Sequence, residues 1–201
     1  NLAFGGAEVT GRTAQERIKS ICKLADESPR GAGDAIAAAA EDPDPAVRKA
    51  ALLALGRFID ERHRPAVEAG TRDADPAVRA SAAATLGLYN DDAAAVRLGE
   101  LLTDDAQEQV RIAALSGLAR VHGPRATALV VMAIESDGSR AVRMQAMKTL
   151  GARYGFTFRD PVDPRTPAGA QRVRNTIKML PGCLEALEQY PPEELRSRRS
   201  K

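Results

Sequence analysis

Aspartate and arginine side chains recur along this chain at a spacing that could build a row of charged groups. Four Asp/Arg pairs have their members six residues apart: Asp42/Arg48, Asp73/Arg79, Asp105/Arg111 and Asp137/Arg143. Such a row could bind anions through the guanidinium groups or a metal ion through the carboxylates. The same groups could instead bond one another and nearby backbone N–H groups, which would make the row structural.

The pairs recur because the sequence itself is repeated. Each copy carries an Asp, a Val-Arg pair, an Ala and a Leu, and three of the four copies add a Gly after the Leu. Successive Val-Arg pairs are 31, 32 and 32 residues apart. A fixed period in this range is typical of a repeat architecture, in which each repeat is one supersecondary unit. Such proteins mostly present extended surfaces to partners, so the period favours binding over catalysis.

Local signals predict that each repeat is an antiparallel pair of helices. Asp44-Pro45 and Asp75-Pro76 place a capping carboxylate before a proline at the first helical position. The apolar residues that follow recur at helical spacing, so a second helix begins there in each repeat. Weaker patterns before these helices predict first helices at 34–41, 65–72, 93–102 and 124–135.

The shared Asp, Val-Arg, Ala and Leu-Gly positions over residues 33–154 resemble HEAT-like repeats, in the short form first named for phycobilisome lyases. This resemblance implies an all-α fold, a short right-handed α-solenoid of about four to five helix pairs with a Pro-rich C-terminal extension. It further implies that each repeat Asp caps its second helix or bonds backbone N–H groups. Each repeat Arg would reach an Asp of a neighbouring repeat, making a structural ladder, and the second helices would line the concave side.

The flanking segments divide the chain into five expected parts. Residues 1–32 would hold a degenerate capping helix around 17–24, and residues 33–154 the four repeats. Residues 155–168 form a Pro-rich linker, because prolines at this density forbid a continuous helix. Residues 169–190 would be a degenerate C-terminal repeat, since Val173-Arg174 follows Val142-Arg143 by 31 residues; its helix should end at Pro181. Residues 191–201 form a basic tail.

The second helices carry little charge on the face opposite their core stripe. Sixteen positions on this face include two charged residues, Lys49 and Lys148. Candidate binding residues there are Leu52, Leu53, Ile112, Leu115, Met144 and Met147. Exposed apolar patches mark interaction sites, so this face could dock a partner. It could equally pack against first helices, or be covered by the Pro-rich segment.

The composition argues against a reaction centre. Aromatic residues make up 3% of the chain, Trp is absent and only two His are present. No nucleotide-binding loop, nucleophile elbow or metal-ligand spacing occurs, so we predict no enzymatic activity, no metal and no cofactor. The two cysteines, Cys22 and Cys183, lie in helical patterns among apolar neighbours, and each is expected to be a buried free thiol.

These features favour a non-catalytic scaffold or accessory subunit that binds protein partners within a larger assembly. Two alternatives stay open: a lyase- or chaperone-like protein acting on a cofactor-bearing protein, and a nucleic-acid binder. The second would use the basic end, where residues 139–201 carry 13 Lys and Arg against 6 Asp and Glu; we consider nucleic acid the less favoured partner. No apolar run could span a bilayer. The chain begins at Asn1, compatible with a cleaved export signal or a cytoplasmic location.

Overall fold

The computed structural model describes residues 7–157, 163–180, 182–192 and 195. Every regular element in this part of the chain is helical, so the expected all-α class is confirmed. The chain divides into two compact units, Asn1–Leu88 and Tyr89–Lys201. Three sequence expectations lie outside the described residues: the linker around Pro161, the helix end at Pro181 and the basic tail from Arg196 to Lys201.

The first unit consists of five α-helices within its described residues. They are α1 (Ala14–Glu27), α2 (Ala32–Ala38), α3 (Pro45–Leu55), α4 (Arg64–Gly70) and α5 (Pro76–Leu86), and a 3₁₀ turn, Ala39–Glu41, follows α2. Helix α1 packs against α3, and α3 packs against α5, while α2 and α4 cover their sides. The second helices of successive repeats are therefore neighbours, and α1 extends the same row.

The second helices begin where the sequence predicts. The Asp44 carboxylate accepts a hydrogen bond from the Ala46 N–H at 2.8 Å, and the Asp75 carboxylate accepts one from the Ala77 N–H at 2.7 Å. Each cap satisfies a backbone donor that has no partner within the helix. The proline that follows already has a helical φ and lacks the N–H that would otherwise need a partner.

A close approach between helices organises the core of the first unit. Leu52, on α3, is fully buried, and it reaches towards Gly70 at the end of α4. A Cβ on Gly70 would lie 2.7 Å from Leu52 Cδ1, so a larger residue there would require the buried Leu52 side chain to move. The glycine therefore makes room for a leucine from the second helix of the preceding repeat.

The second unit consists of six α-helices within its described residues. They are α6 (Asp92–Asp104), α7 (Glu108–Leu118), α8 (Pro124–Ser136), α9 (Arg140–Tyr154), α10 (Pro167–Met179) and α11 (Cys183–Gln189). A 3₁₀ turn, Gly87–Tyr89, lies at the division between the units. Helices α6 and α8 pack together as first helices, and α7 and α9 pack together as second helices.

Helix α8 is enclosed on all sides. Residues 126–134 are buried without interruption, because α6, α9 and α11 all pack against this helix. Gly99 on α6 admits Leu129 of α8, since a Cβ at position 99 would lie 2.9 Å from Leu129 Cδ2. A helix that is apolar all round belongs in an interior, and the final helix α11 provides the last side of that enclosure.

The predicted helix bounds are close to the observed ones, with one clear error in burial. The pattern at 34–41 is split into α2 and the 3₁₀ turn, and the pattern at 65–72 ends earlier, at Gly70. Cys183 is buried as expected, but Cys22 is exposed, so that prediction is wrong. The buried residues of helix α1 are Ile21 and Ala25, and Cys22 lies outside that stripe. The division of the chain into five parts stays a prediction.

We predict that Leu86→Ala destabilises the protein strongly. Leu86 is fully buried in the first unit, and removing its side chain loses transfer free energy and leaves a cavity. The expected loss is about 2–5 kcal/mol in the free energy of unfolding, measured by urea denaturation. The matched control is Leu53→Ala on α3, where the side chain is 51% exposed and little stability should be lost. Equal effects at both positions would contradict the packing described here.

Candidate functional site

The repeat Asp residues organise the loops between the paired helices. Asp42 Oδ1 accepts a hydrogen bond from the Asp44 N–H at 2.9 Å, and Asp73 Oδ1 accepts one from the Asp75 N–H at 2.8 Å. Asp105 and Asp137 make the same contact with the N–H two residues later, at 2.9 and 2.7 Å. Each carboxylate therefore fixes the loop that presents the capping residue of the next helix.

In the first unit, the repeat Arg residues connect one loop to the next. Arg48 donates from Nη1 to its own loop, to the Asp42 and Pro43 carbonyl oxygens at 2.9 and 3.1 Å. Its Nε and Nη2 donate to the two carboxylate oxygens of Asp73 at 2.7 and 2.8 Å. A bidentate, charge-assisted pair of this kind fixes geometry as well as contributing energy.

A further contact of the same kind comes from Arg17, which the sequence analysis did not assign to the row of Asp/Arg pairs. Arg17 donates from Nε and Nη2 to both Asp42 oxygens at 2.7 and 2.8 Å. The period contains the signal, because Arg17 precedes Arg48 by 31 residues. Arg79, the remaining repeat Arg of this unit, donates to the Asp73 and Ala74 carbonyl oxygens at 2.8 and 3.0 Å.

The second unit contains one bidentate Arg–Asp pair like those of the first unit, followed by a pair that is joined by a single hydrogen bond. Arg111 binds both Asp137 oxygens, at 2.9 Å from Nε and 3.2 Å from Nη2, and its Nη1 donates to the Asp105 and Ala106 carbonyls. Arg143 is only 2% exposed, yet it reaches Asp163 through Nη2 alone, at 3.1 Å. Its Nε is buried without a hydrogen-bond partner. The sequence analysis did not identify Asp163 as the partner of Arg143.

The charged row leaves little for a ligand to bind. A cleft of about 420 Å³ lies beside this part of the second unit, and its lining includes Arg111, Asp105 and Asp137. Arg111 and Asp137 are already bonded to each other, and Asp105 holds its own loop. These internal contacts support the structural interpretation of the row rather than an anion or metal track.

The predicted binding face of the second helices is only partly accessible. Leu52, Leu115 and Met147 occupy equivalent positions in three repeats, and their side chains are buried. The proposal that these three face a partner is therefore wrong. Leu52 shows the reason for this burial. Its side chain points towards the first helix α4 and packs against Gly70.

The remaining candidate residues lie on the open side of the second helices in each unit, and the first-unit surface around Leu53 and Leu88 is called the second-helix ridge. In the first unit, Leu53 is 51% exposed, and in the second unit Ile112 and Met144 are half-buried. Leu88, which the sequence did not single out, is 37% exposed, and a Cβ on Gly56 would lie 3.2 Å from Leu88 Cδ1. The ridge therefore offers an apolar surface over α3 and α5; within the second unit, the exposed apolar surface on α7 and α9 is smaller.

The comparison with known families agrees with the repeat pattern and with the ladder. The family described as HEAT repeats matches residues 33–119 and 97–166, which together make up more than half of the chain.

The chain belongs to the HEAT-repeat family.

The fold class predicted from the resemblance, an all-α repeat fold of the solenoid type, is confirmed. The HEAT match extends to residue 166, so it includes Asp163, but it begins after Arg17.

A solved structure supports the same fold. The chain is similar to one from the structure of the complex of CpcE and CpcF of phycocyanin lyase from Nostoc sp. PCC7120, with 18% identity. The similarity covers 96% of this chain and 92% of that chain, with a TM-score of 0.60. No curated protein sequence matches this chain.

The electrostatics of the HEAT ladder follow from its geometry. The Arg17 guanidinium lowers the pKa of Asp42 below its ordinary value of 3.8, and the Arg48 guanidinium lowers the pKa of Asp73 in the same way. In both cases burial acts in the opposite direction and is outweighed. The pKa of Asp163 is also lowered, mainly by the hydrogen bond from the Arg165 N–H.

The histidines and the buried thiol are engaged in local contacts. His63 is buried; its Nδ1 lies 3.1 Å from the Phe58 carbonyl oxygen and its Nε2 lies 2.9 Å from Asp34 Oδ1. His122 lies beside Asn90 in a turn. Burial raises the pKa of the Cys183 thiol, which would disfavour a nucleophilic thiolate.

Two negative findings apply to the described residues alone. No group of three or more His, Cys, Asp or Glu side chains there is placed to hold a metal ion. Within the same residues, no helix is long and apolar enough to cross a membrane.

We predict that Arg111→Ala destabilises the HEAT array through its ladder contacts. The substitution removes the bonds to Asp137 and leaves two loop carbonyls without their donor. The expected loss is about 1–3 kcal/mol in the free energy of unfolding. Arg111→Lys should recover only part of this, because an ammonium group cannot reproduce the planar fork. A fully recovered melting temperature with Lys would contradict the bidentate geometry.

A second prediction concerns acid. A carboxylate whose folded pKa is lowered stabilises the fold above its unfolded pKa, and this contribution is lost as the pH falls through the folded value. Stability should therefore decline as the pH drops below 3.8, the ordinary value for Asp42 and Asp73. Asp73→Asn should be less stable near pH 7 and should lose less stability on acidification. Urea midpoints between about pH 7 and about pH 2.5 measure this.

The matched control for this experiment is Asp26→Asn. Asp26 is exposed and forms a surface ion pair with Arg57, so its loss should leave the acid dependence nearly unchanged. Parallel acid profiles for Asp73→Asn and the unmodified protein would show that the ladder does not carry the effect.

Proposed function

We propose that this protein is a non-catalytic, partner-binding subunit of a larger assembly, and that it docks a protein partner on the second-helix ridge. The observation that carries the proposal is the exposure of Leu53 and Leu88 on a repeat face with little charge. Neighbouring positions on α5, Ala80 and Ala84, are small and half-buried, so they add apolar area without projecting charge. Clustered apolar exposure of this kind is typical of interaction sites.

The chemistry of the other residues supports binding over catalysis. The ladder carboxylates and guanidiniums bond each other, and the buried His63 bonds Asp34 and a backbone carbonyl. Arg111 and Asp137 line the cleft of about 420 Å³, and His63 and Asp34 line another of about 290 Å³, but each of these groups is already bonded within the protein. The similar solved chain comes from a complex of two different proteins, CpcE and CpcF, which is in line with a subunit role.

A lyase-like function is the second candidate, and the structural similarity is the observation that favours it. The similar complex is described as one of phycocyanin lyase. A protein with this function would bind a free tetrapyrrole and change the visible absorption spectrum of that pigment. A partner-binding subunit without lyase activity would leave the spectrum unchanged when mixed with the tetrapyrrole alone.

We predict that Leu53→Glu abolishes partner binding while preserving the fold. Because Leu53 is half-exposed, the charge should leave the helical content and melting temperature nearly unchanged. Capture of the partner from native extract, identified by mass spectrometry, should fall by about tenfold or more, since a buried charge at an apolar interface is costly.

Ile59→Glu is the matched control, because Ile59 is 43% exposed in the loop after α3 and lies off the ridge. Its capture of the same partner should be normal. Undiminished capture by Leu53→Glu would exclude the ridge as the docking surface, and unfolding of that variant would show that Leu53 belongs to the core.

A further inference from the structure

The last two helices of the second unit expose a surface that folding does not explain. Helix α10 buries only Gly169, Val173 and Ile177, which are spaced four residues apart along one narrow stripe. The rest of the helix faces outward. We call the exposed residues at its end and at the start of α11 the C-terminal corner: Arg174, Lys178, Met179 and Leu184.

The corner includes large apolar side chains in water. Met179 is 82% exposed, and Leu184 is 46% exposed on the other side of the turn that contains Gly182. Leu180, between them in sequence, is half-buried. Covering these side chains with another protein would remove apolar surface from water and favour association, and Met adapts readily to irregular partner surfaces.

The same segment is rich in basic residues, with Asp163 and Glu185 as the acids on either side of it. From Pro164 to Leu184 the sequence has no Asp or Glu, and its basic residues are Arg165, Arg172, Arg174 and Lys178. Arg174 and Lys178 are one helical turn apart, which places two like charges side by side. Within the described residues neither forms an ion pair, and Arg174 instead donates to Gln171 Oε1 at 3.3 Å. The exposed positive charges of Arg174 and Lys178 would favour an acidic partner.

We propose that the C-terminal corner docks an acidic amphipathic helix of a partner protein. Carboxylates of that helix would meet Arg174 and Lys178, while its apolar stripe would cover Met179 and Leu184. The inference deepens the proposed function, since it rests on a partner-binding role and names the chemistry of the partner. It concerns a surface separate from the second-helix ridge.

The repeat architecture argues for a helix as the occupant. In the first unit α3 packs against α5, and in the second unit α7 packs against α9, so a second helix is normally covered by the next one. Helix α10 is followed in the described residues only by the short helix α11, and its outward face stays open. Helix α10 packs chiefly against α11 rather than α9, so a partner helix on its open face would use the same kind of helix-on-helix contact without extending the row of second helices.

The side-chain chemistry distinguishes this partner from other anionic ones. The aromatic side chains in the described residues are all half-buried, so the corner lacks the stacking surfaces that single-stranded nucleic acids use. Phosphate groups would also leave Met179 and Leu184 uncovered. A lipid surface would require a broader apolar face than these two side chains provide.

The test uses the full chain and two fluorescently labelled peptides of about 18 residues with the same Glu and Leu content. One places its Leu residues on a single helical face, and the other is scrambled so that no such face exists. We expect fluorescence anisotropy to show tighter binding of the amphipathic peptide. Arg174→Glu combined with Lys178→Glu should weaken that binding about tenfold or more, and Met179→Ser about fivefold.

The control reverses two exposed arginines of the first unit, Arg30→Glu with Arg72→Glu, which changes the net charge equally but leaves the corner intact. This variant should bind the amphipathic peptide with an affinity much closer to that of the unmodified protein. Circular dichroism melts establish that each variant folds. Equal affinity for the two peptides, or no effect of Met179→Ser, would overturn the proposal.

Three other outcomes would also overturn it. These are tighter binding of a single-stranded DNA oligonucleotide through the corner, tighter binding of phosphatidylglycerol vesicles through the corner, and a dimer in sedimentation that is lost in the corner variants. None of these results bears on the Leu53→Glu experiment, so failure at the corner leaves the proposed function standing on its own test.

Discussion

The fork between a repeat Arg and the Asp of the next repeat is the interaction on which the rest of the structure depends. One guanidinium holds two carbonyls of its own loop and both oxygens of the following Asp, as Arg48 does with Asp42, Pro43 and Asp73. That Asp in turn holds the N–H of the residue that caps the next helix. A single side chain therefore links a loop, its neighbour and a helix start, so neighbouring helices pack in one register.

The ladder also determines which surface is left for function. Because the charged side chains satisfy one another at the loops, the face of the second helices is free to carry small and apolar residues. Leu53 and Leu88 are exposed there, whereas Leu52, one residue earlier on α3, is enclosed by the end of α4. Successive residues of a helix point in directions about 100° apart, so Leu52 can lie in the core while Leu53 lies on the surface.

The sequence could predict the helices, because the Asp-Pro caps and the period are local signals. It could not separate Leu52 from Leu53, since that depends on where α4 lies in space and on Gly70 having no side chain. The enclosure of α8 was hidden for a similar reason: it depends on α11, which is distant in sequence. Arg17 was within reach of sequence reasoning, because it obeys the period, but its segment lacks the other repeat residues.

The forks of Arg17 with Asp42 and of Arg48 with Asp73 have the same two distances, 2.7 and 2.8 Å. These two Arg–Asp forks therefore have the same chemistry and nearly the same geometry. Excising one whole period between Asp42 and Asp73 would bring Arg17 opposite Asp73 with no orphaned charge, and duplicating it would add a matched fork. As far as the charged ladder is concerned, the array can therefore be lengthened or shortened in whole repeats without leaving an Arg or an Asp unmatched.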